Sequence, residues 1–328
     1  MKILIAGFGS IGRRHFRNLI TLGEHDILFY RTQHSTLDAD ELTGFTIETD
    51  LNKALAHHPQ AVIVSNPTAL HLNVAIPAAE MGCHIFMEKP LSHSMEGIDD
   101  LATAIKKGGG HFLTGFQFRF HPGLITIHDL LRQNTIGKVI SAHAHWGEYL
   151  PGWHPWEDYR QGYSARADLG GGVVLTLCHP LDYLRWLIGE IKQVSAMTAK
   201  LSDLELSVED TAQIGLRFDN GAIGNVYLDY IQKPPSHHLQ IIGDQGEIHW
   251  DNSDGKVKLY RRAQERWETI NPPRKFERND LFLKQMQHFR NVAHGKAQPI
   301  CTLEDGVRAL QIALAVHESQ ATGKFIEL

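Results

Sequence analysis

The sequence predicts an α/β fold: a doubly wound parallel sheet at the N-terminus, then an α+β domain with a large, mostly antiparallel sheet. Three observations lead there. A glycine-rich turn, Gly7-Phe8-Gly9-Ser10-Ile11-Gly12, has an apolar run before it and a helical pattern after it. Apolar runs of strand length alternate with helical segments through about residue 120. Beyond that, alternating runs separated by turn signals follow one another. The expected domains are residues 1–120 and 121–328.

Taken in order, residues 2–6 form an apolar strand and residues 13–22 a helix. Strand, glycine turn and helix in that order make the opening of a Rossmann dinucleotide-binding fold. The first glycine permits the tight turn, the second admits a pyrophosphate to the backbone, and the third lets helix and strand pack closely. The helix N-terminus offers free N–H groups and a favourable dipole. The next strand is residues 26–30, and its edge selects the dinucleotide. An acid about twenty residues past the motif would bond the ribose 2′-hydroxyl of NAD(H). Here the edge reads Arg31-Thr32, with no acid before Asp38. Arginine pairs with a 2′-phosphate and stacks on adenine. NADP(H) is therefore favoured, with NAD(H) left open.

Residues 50–58 read as a short helix capped by Asp50. Residues 61–64 are a continuous apolar run, as buried parallel strands are. The run ends in the turn Ser65-Asn66-Pro67-Thr68, where Thr68 or a neighbour caps a helix reaching Met81, with His71 on its first turn. Residues 84–87 are a further buried strand, stopped at Glu88-Lys89-Pro90 because proline cannot continue a ladder. Ligands of open parallel sheets bind outside the carboxyl ends of the strands, which places Lys89 at a cleft. The plain alternative is a solvated charge pair. A helix over 95–107 ends at Gly108-Gly109-Gly110, and 111–115 is a fifth strand, followed by Gln117 and Arg119.

In the second half, 122–134 is a helix, 138–148 a half-exposed strand, and 173–188 a long helix opened by Gly170-Gly171-Gly172. Strands follow at about 193–200, 211–218, 222–230, 238–242, 247–251 and 257–260, read as an antiparallel meander. Asn220-Gly221 marks a two-residue hairpin. Helices over 280–293 and 303–319 close the chain.

Two stretches here look chemical. Residues 146–163 hold Trp146, Tyr149, Trp153, Trp156, Tyr159 and Tyr163, with His154, Asp158 and Arg160 among them, in a segment that prolines and glycines make a loop. Flat apolar rings with polar neighbours suit the C–H faces of a pyranose or cyclitol, and Arg160 and Arg166 suit a carboxylate or phosphate. A self-packed loop or a subunit contact is the alternative. On the helix over 173–188, His179 and Asp182 are three apart and share a face, with Tyr183 on the same side. Histidine exchanges protons near neutral pH, and Asp182 would hold its tautomer. A structural role for His179 is equally open.

Composition narrows the classes. Hydrophobic residues at 42% and charged residues at 21% are those of an ordinary soluble globular chain. A net charge of -5 argues against a nucleic-acid partner. No apolar run is long enough to span a bilayer, so no membrane association is expected, and the apolar N-terminus is too short for a signal peptide. Cys83, Cys178 and Cys301 are odd in number and lack metal-ligand spacing, which predicts a cytoplasmic chain without disulfides. The histidine pairs at 57–58 and 237–238 show no zinc spacing, so no metal is expected.

With these residues in view, the whole chain resembles the Gfo/Idh/MocA family, named for glucose–fructose oxidoreductase and inositol dehydrogenase. The resemblance rests on the turn at 7–12, Asn66-Pro67-Thr68 with His71, Glu88-Lys89-Pro90, Arg119, the glycine-opened helix with His179-Pro180-Leu181-Asp182, and Glu209-Asp210-Thr211 before a hairpin. It implies a Rossmann domain joined to a sheet domain whose face makes a homodimer or homotetramer. It implies NAD(P)-dependent oxidation of a hydroxyl, or reduction of a ketone, on a small carbohydrate-like molecule. Lys89 would contact nicotinamide and substrate, and His179 would act as acid or base. The implied cofactor set is Gly7 to Gly12, Arg31, Thr32, Asn66, Pro67, Thr68, His71, Glu88, Lys89 and Arg119. The implied substrate set is Lys89, Trp153, Trp156, Tyr159, Arg160, Tyr163, His179 and Asp182. One departure is Leu175, where many members carry an aspartate one turn before the histidine.

Three readings compete on this basis. The first is a sugar, cyclitol or nucleotide-sugar oxidoreductase. The second is a redox-neutral enzyme that retains its cofactor for elimination or glycoside cleavage. The third is a non-catalytic, cofactor-sensing binding protein, which Leu175 encourages.

Overall fold

Strands buried on both faces read as continuous apolar runs, and the central N-terminal strands at residues 3–6 and 61–64 do. The computed structural model describes residues 1–32 and 40–328, which form two units. The units do not follow a single cut in the sequence. The first comprises residues 1–117, 168–170 and 278–307.

Its sheet is six-stranded and parallel, ordered β3-β2-β1-β4-β5-β6, from β1 (Ile3–Ala6), β2 (Ile27–Tyr30), β3 (Thr46–Glu48), β4 (Ala61–Val64), β5 (His84–Met87) and β6 (Phe112–Thr114). Ala6 pairs with Val64 and Val64 with Met87, so β1, β4 and β5 end level. Gly7, Ser65 and Glu88 are the first residues beyond that line. β3 is a strand that the apolar pattern did not predict. It is a three-residue edge strand with Thr46 and Ile47 exposed, so it needs no apolar run.

Helices α1 (Ser10–Thr21), α2 (Leu51–Ala56), α3 (His71–Glu80) and α4 (Ile98–Gly108) connect these strands. Asp50 caps α2 by accepting from the Lys53 N–H at 2.9 Å. The cap expected from Thr68 is not made. Thr68–Leu70 is a separate 3-10 turn, and the cap position of α3 falls to Leu70, whose side chain has no acceptor. α4 starts three residues later than expected, after Gly97 in the left-handed region at φ 78°. The helix α8 (Arg278–Ala293) lies on α1, with Asn279 Nδ2 donating to Asn18 Oδ1 at 2.9 Å and Arg290 Nε to Glu24 Oε1 at 2.7 Å.

The second unit comprises residues 118–167, 171–277 and 308–328. Its strands are β7 (Val139–Gly147), β8 (Ile191–Ala199), β9 (Thr211–Phe218), β10 (Ile223–Asp229), β11 (Ser236–Gly243), β12 (Gly246–Asp251), β13 (Val257–Arg261), β14 (Arg266–Ile270) and β15 (Ile326–Glu327). They form one sheet ordered β14-β13-β12-β11-β7-β10-β9-β8-β15. This corrects the meander: β7 inserts between β10 and β11, parallel to the first and antiparallel to the second. Pairing between distant strands depends on register and burial, for which neighbouring residues give no signal. β14 and β15, also unpredicted, are short edge or near-terminal strands with exposed residues. The hairpin between β9 and β10 has three loop residues rather than two, with Gly221 at φ 87° supplying the left-handed position.

One side of the sheet is covered. Ala212, Ile214, Leu216 and Phe218 of β9 and Ala142, Ala144 and Trp146 of β7 are buried on it. Helices α5 (Pro122–Arg132), α6 (Val173–Thr176) and α7 (His179–Ile188) belong to this unit, together with α9 (Leu303–Thr322) from residue 308 onward. The single helix expected over 173–188 is broken at Leu177-Cys178. Pro180 lacks an N–H and disfavours helical geometry just before it, yet it suits a first turn, so the chain restarts at His179. No helix among the described residues is long and apolar enough to cross a membrane.

A Cβ on Gly108 would lie 1.9 Å from the Ala79 carbonyl oxygen, whereas Gly109, at φ 73°, faces open space. Gly108→Ala is expected to cost about 1–3 kcal/mol through overpacking, and Gly109→Ala about 1–2 kcal/mol through its left-handed backbone. Thermal melting of the two variants checks this. Gly108→Ala melting at the native temperature would refute the close contact between α3 and α4.

Candidate active site

The glycine turn is built by exclusion. Gly7 has φ 95°, and a Cβ on it would lie 2.5 Å from the Asn66 backbone nitrogen. A Cβ on Gly12 would lie 2.3 Å from the Gly7 carbonyl oxygen, while nothing stands within 4 Å of one on Gly9. Ser65 Oγ sits 3.0 Å from the Gly7 carbonyl and 3.1 Å from that of Ala6, tying the ends of β1 and β4. Gly9 occupies the cap position of α1, which has neither a side-chain cap nor an acid in its first turn. The N–H groups of Ser10, Ile11 and Gly12 therefore present a positive helix end beside open space, and this fits a dinucleotide pyrophosphate. Phe8 faces inward, packed edge-on against Phe29 with ring centres 5.1 Å apart.

At the neighbouring strand ends, Asn66 Nδ2 donates to the Leu70 carbonyl at 3.0 Å, and its Oδ1 is buried without a hydrogen-bond partner. Pro67 leads into the 3-10 turn that buries Thr68. His71 lies between two carbonyls, Nδ1 3.0 Å from Pro90 and Nε2 2.9 Å from Asn66. Burial lowers its pKa against the pull of those carbonyls, and a neutral ring donates to only one of them. His71 thus bridges the turns after β4 and β5. Glu88 is buried and Lys89 half-buried beside it. At the end of β2, Arg31 is half-buried, its Nε lacking a hydrogen-bond partner, and Thr32 is exposed. Asp38 lies outside the described residues.

The second unit gathers another cluster. Asp182 is buried and receives two bonds from Arg119, Nη2 to Oδ1 at 2.6 Å and Nε to Oδ2 at 3.0 Å. Trp186 lies beneath the Arg119 guanidinium at 5.8 Å. The Asp182 carboxylate is thus engaged by a guanidinium that the sequence reading assigned to the cofactor. His179 is 1% exposed, edge-on to Phe118 at 5.0 Å and tilted on Trp146 at 5.3 Å. Trp146 belongs to β7 and not to the loop; His237 stacks on it at 4.3 Å, with the Tyr183 hydroxyl 3.3 Å from His237 Nε2.

The aromatic segment is a chain of 3-10 turns. Trp153 packs edge-on against the buried Tyr230 at 5.6 Å, and Tyr163 is half-buried. Trp156 is 69% exposed. Arg160 is held by Asp158 and by Glu205 at 3.1 Å, and Glu205 N–H donates to the Tyr159 hydroxyl. The Arg160 hydrogen bonds draw the Asp158 carboxyl below its ordinary range.

Two descriptions match between them nearly the whole chain: "Oxidoreductase family, NAD-binding Rossmann fold" over residues 1–116 and "Oxidoreductase family, C-terminal alpha/beta domain" over residues 128–328. The chain belongs to the Gfo/Idh/MocA oxidoreductase family. Its relatives include a myo-inositol 2-dehydrogenase of Thermotoga maritima, 27% identical with 100% of this chain and 98% of the relative covered. Another is a 1,5-anhydro-D-fructose reductase of Ensifer adhaerens, 26% identical over 82% of this chain and 79% of the relative. Among solved structures, the WlbA dehydrogenase from Bordetella pertussis, in complex with NADH and UDP-GlcNAcA, shares the fold with a TM-score of 0.84 at 21% identity, covering 100% and 98% of the two chains.

In this family member the structure places four more residues beside the candidate ones: His15 and Tyr230, which the sequence did not single out, and His237 and Glu209, which it marked only in a histidine pair and in a motif before a hairpin. His15 bonds Glu88 at 2.7 Å, and His237 stacks with Trp146. Tyr230 anchors Trp153 and holds the Ser164 carbonyl at 3.4 Å. Glu209 accepts from the Val174 N–H at 3.1 Å at the start of α6, and burial raises its pKa. Of the two that were not singled out, His15 carried a local signal, a polar residue on the inward face of α1, and Tyr230 carried none.

Removing one partner of a buried ion pair costs about 3–5 kcal/mol. Asp182→Asn is therefore expected to lower the urea midpoint strongly, and Asp158→Asn, at an exposed pair, to shift it little. Tryptophan fluorescence follows both, and equal midpoints would mean that the Arg119 pair does not hold α7.

Proposed function

We propose that this protein is an NADP(H)-preferring dehydrogenase that moves a hydride between nicotinamide and a hydroxyl or ketone carbon of a sugar, cyclitol or nucleotide-sugar-like substrate. The observation that supports it best is the level ending of β1, β4 and β5, which lines up the glycine turn, Asn66-Pro67 and Lys89 along one sheet edge. The named activities of the inositol and anhydrofructose relatives favour the substrate class.

The dinucleotide, when bound, supplies the hydride acceptor or donor. The uncapped end of α1 holds its pyrophosphate beside Gly9, and Arg31 takes the 2′-phosphate through the guanidinium whose Nε is otherwise unsatisfied. Lys89 polarises the reacting oxygen. His179 takes the hydroxyl proton in oxidation and returns it in reduction, worth about a hundred- to ten-thousandfold. Positioning supplies most of the remainder. Rings of Trp153, Trp156 and Tyr163 suit sugar C–H faces, and Tyr159, Arg160 and Asp182 supply polar groups to the substrate. Self-association through the open sheet face completes the reading. Met197, Ile223 and Trp267 are exposed there, and light scattering of the purified protein would show a dimer or tetramer.

Titration with NADPH and NADH, read by energy transfer from tryptophan, is expected to show tighter NADPH binding. Arg31→Ala should weaken NADPH at least about tenfold and leave NADH nearly unchanged, as loss of one charge-assisted pair predicts. Equal affinities in the native protein would overturn the NADP(H) preference. Lys89→Met should bind cofactor normally and lose more than about tenfold in kcat. A variant keeping more than about a tenth of native kcat would remove Lys89 from the chemistry.

A further inference from the structure

His15 is fully buried on α1, three residues past the last glycine of the turn, and the proposed chemistry does not use it. Phe86 packs edge-on against it at 4.9 Å and Phe282 at 6.5 Å. Nε2 lies 2.7 Å from Glu88 Oε1, and Nδ1 is buried without a hydrogen-bond partner. A carboxylate only accepts, so the ring donates through Nε2. The other Glu88 oxygen, Oε2, accepts from the Lys89 backbone N–H at 3.3 Å. Space for that carboxylate comes from Gly115: a Cβ there would lie 3.0 Å from Glu88 Cα and 3.1 Å from Oε2.

One carboxylate therefore joins the helix of the glycine turn to the backbone from which Lys89 projects. We infer that His15 is a positioning residue for Lys89, acting through Glu88. The inference rests on the proposed role of Lys89. The bond fixes where Lys89 leaves β5 relative to the helix end that holds the pyrophosphate. Losing it frees the turn after β5 while the glycine turn, built from backbone contacts, stays in place.

Three variants of the full chain test this. His15→Met keeps an apolar filling but removes the donor. His15→Gln restores an N–H near the Nε2 position. Glu88→Gln keeps an oxygen for His15 but sets an amide donor against the Lys89 N–H. Steady-state kinetics on a sugar or cyclitol substrate, NADPH affinity, and the acetylation rate of Lys89 measured by peptide mass spectrometry are read for each. His15→Met and Glu88→Gln are expected to lose about ten- to a hundredfold in kcat, as small misplacements do. In His15→Met NADPH affinity should stay within about threefold, since the glycine turn is intact, and His15→Gln should recover most of the rate. If His15→Met does not fold, the kcat loss and the changed Lys89 acetylation rate of Glu88→Gln carry the expectation. Unchanged kcat, or parallel loss of kcat and NADPH affinity without rescue by glutamine, overturns the inference. If the native protein turns over no such substrate, the functional reading fails, and acetylation decides separately. A Lys89 rate changed in His15→Met and restored in His15→Gln sustains the coupling; an unchanged rate overturns it.

Discussion

The first unit depends on one steric constraint: backbone must touch backbone at the end of β1. Gly7 meets the Asn66 nitrogen and Gly12 meets the Gly7 carbonyl at distances no Cβ tolerates. Given that contact, α1 starts beside β4 instead of standing off it, and its uncapped N–H groups open onto the space above Gly9. The level ends of β1, β4 and β5 then follow from register, and with them the placement of Asn66, Glu88 and Lys89. A helix end of this kind favours an anion for reasons of dipole and unpaired donors alone.

The second unit is organised differently, around polar groups taken out of water. Burying Arg119 and Asp182 is costly, and their two short bonds offset that cost. What the pair secures is orientation: Arg119 follows Phe118, and Asp182 shares the first turn of α7 with His179. His179 and His237 lie against the same indole, Trp146. Leu175 is buried in the four-residue α6.

Much of the fold was legible because burial leaves periodic marks. The strands over 61–64 and 84–87 are apolar throughout, and α2 announces itself through Asp50. What went unread had no apolar signature. β3, β14 and β15 are exposed edge or near-terminal strands, and the insertion of β7 between β10 and β11 is a pairing of segments about eighty residues apart. The break before His179 was visible in Pro180, yet the glycines upstream and the apolar run suggested one helix. In the candidate site, strand ends and residue types were legible, whereas the bonds made across the fold were not. Asp182 is bonded by Arg119, and Arg160 bonds Asp158 and Glu205, pairings that no local pattern announces.

By itself, then, the sequence determined the fold class, the family and the strand ends that carry the conspicuous residues, because these depend on local sterics, apolar periodicity and short motifs. Only the tertiary structure decided which side chains share a bond. Glu88 reaches His15 across 73 positions, and Arg119 reaches Asp182 across 63. Such partners are chosen by the packing of whole elements and by the need to satisfy buried polar groups, and neither requirement is written in the residues next door.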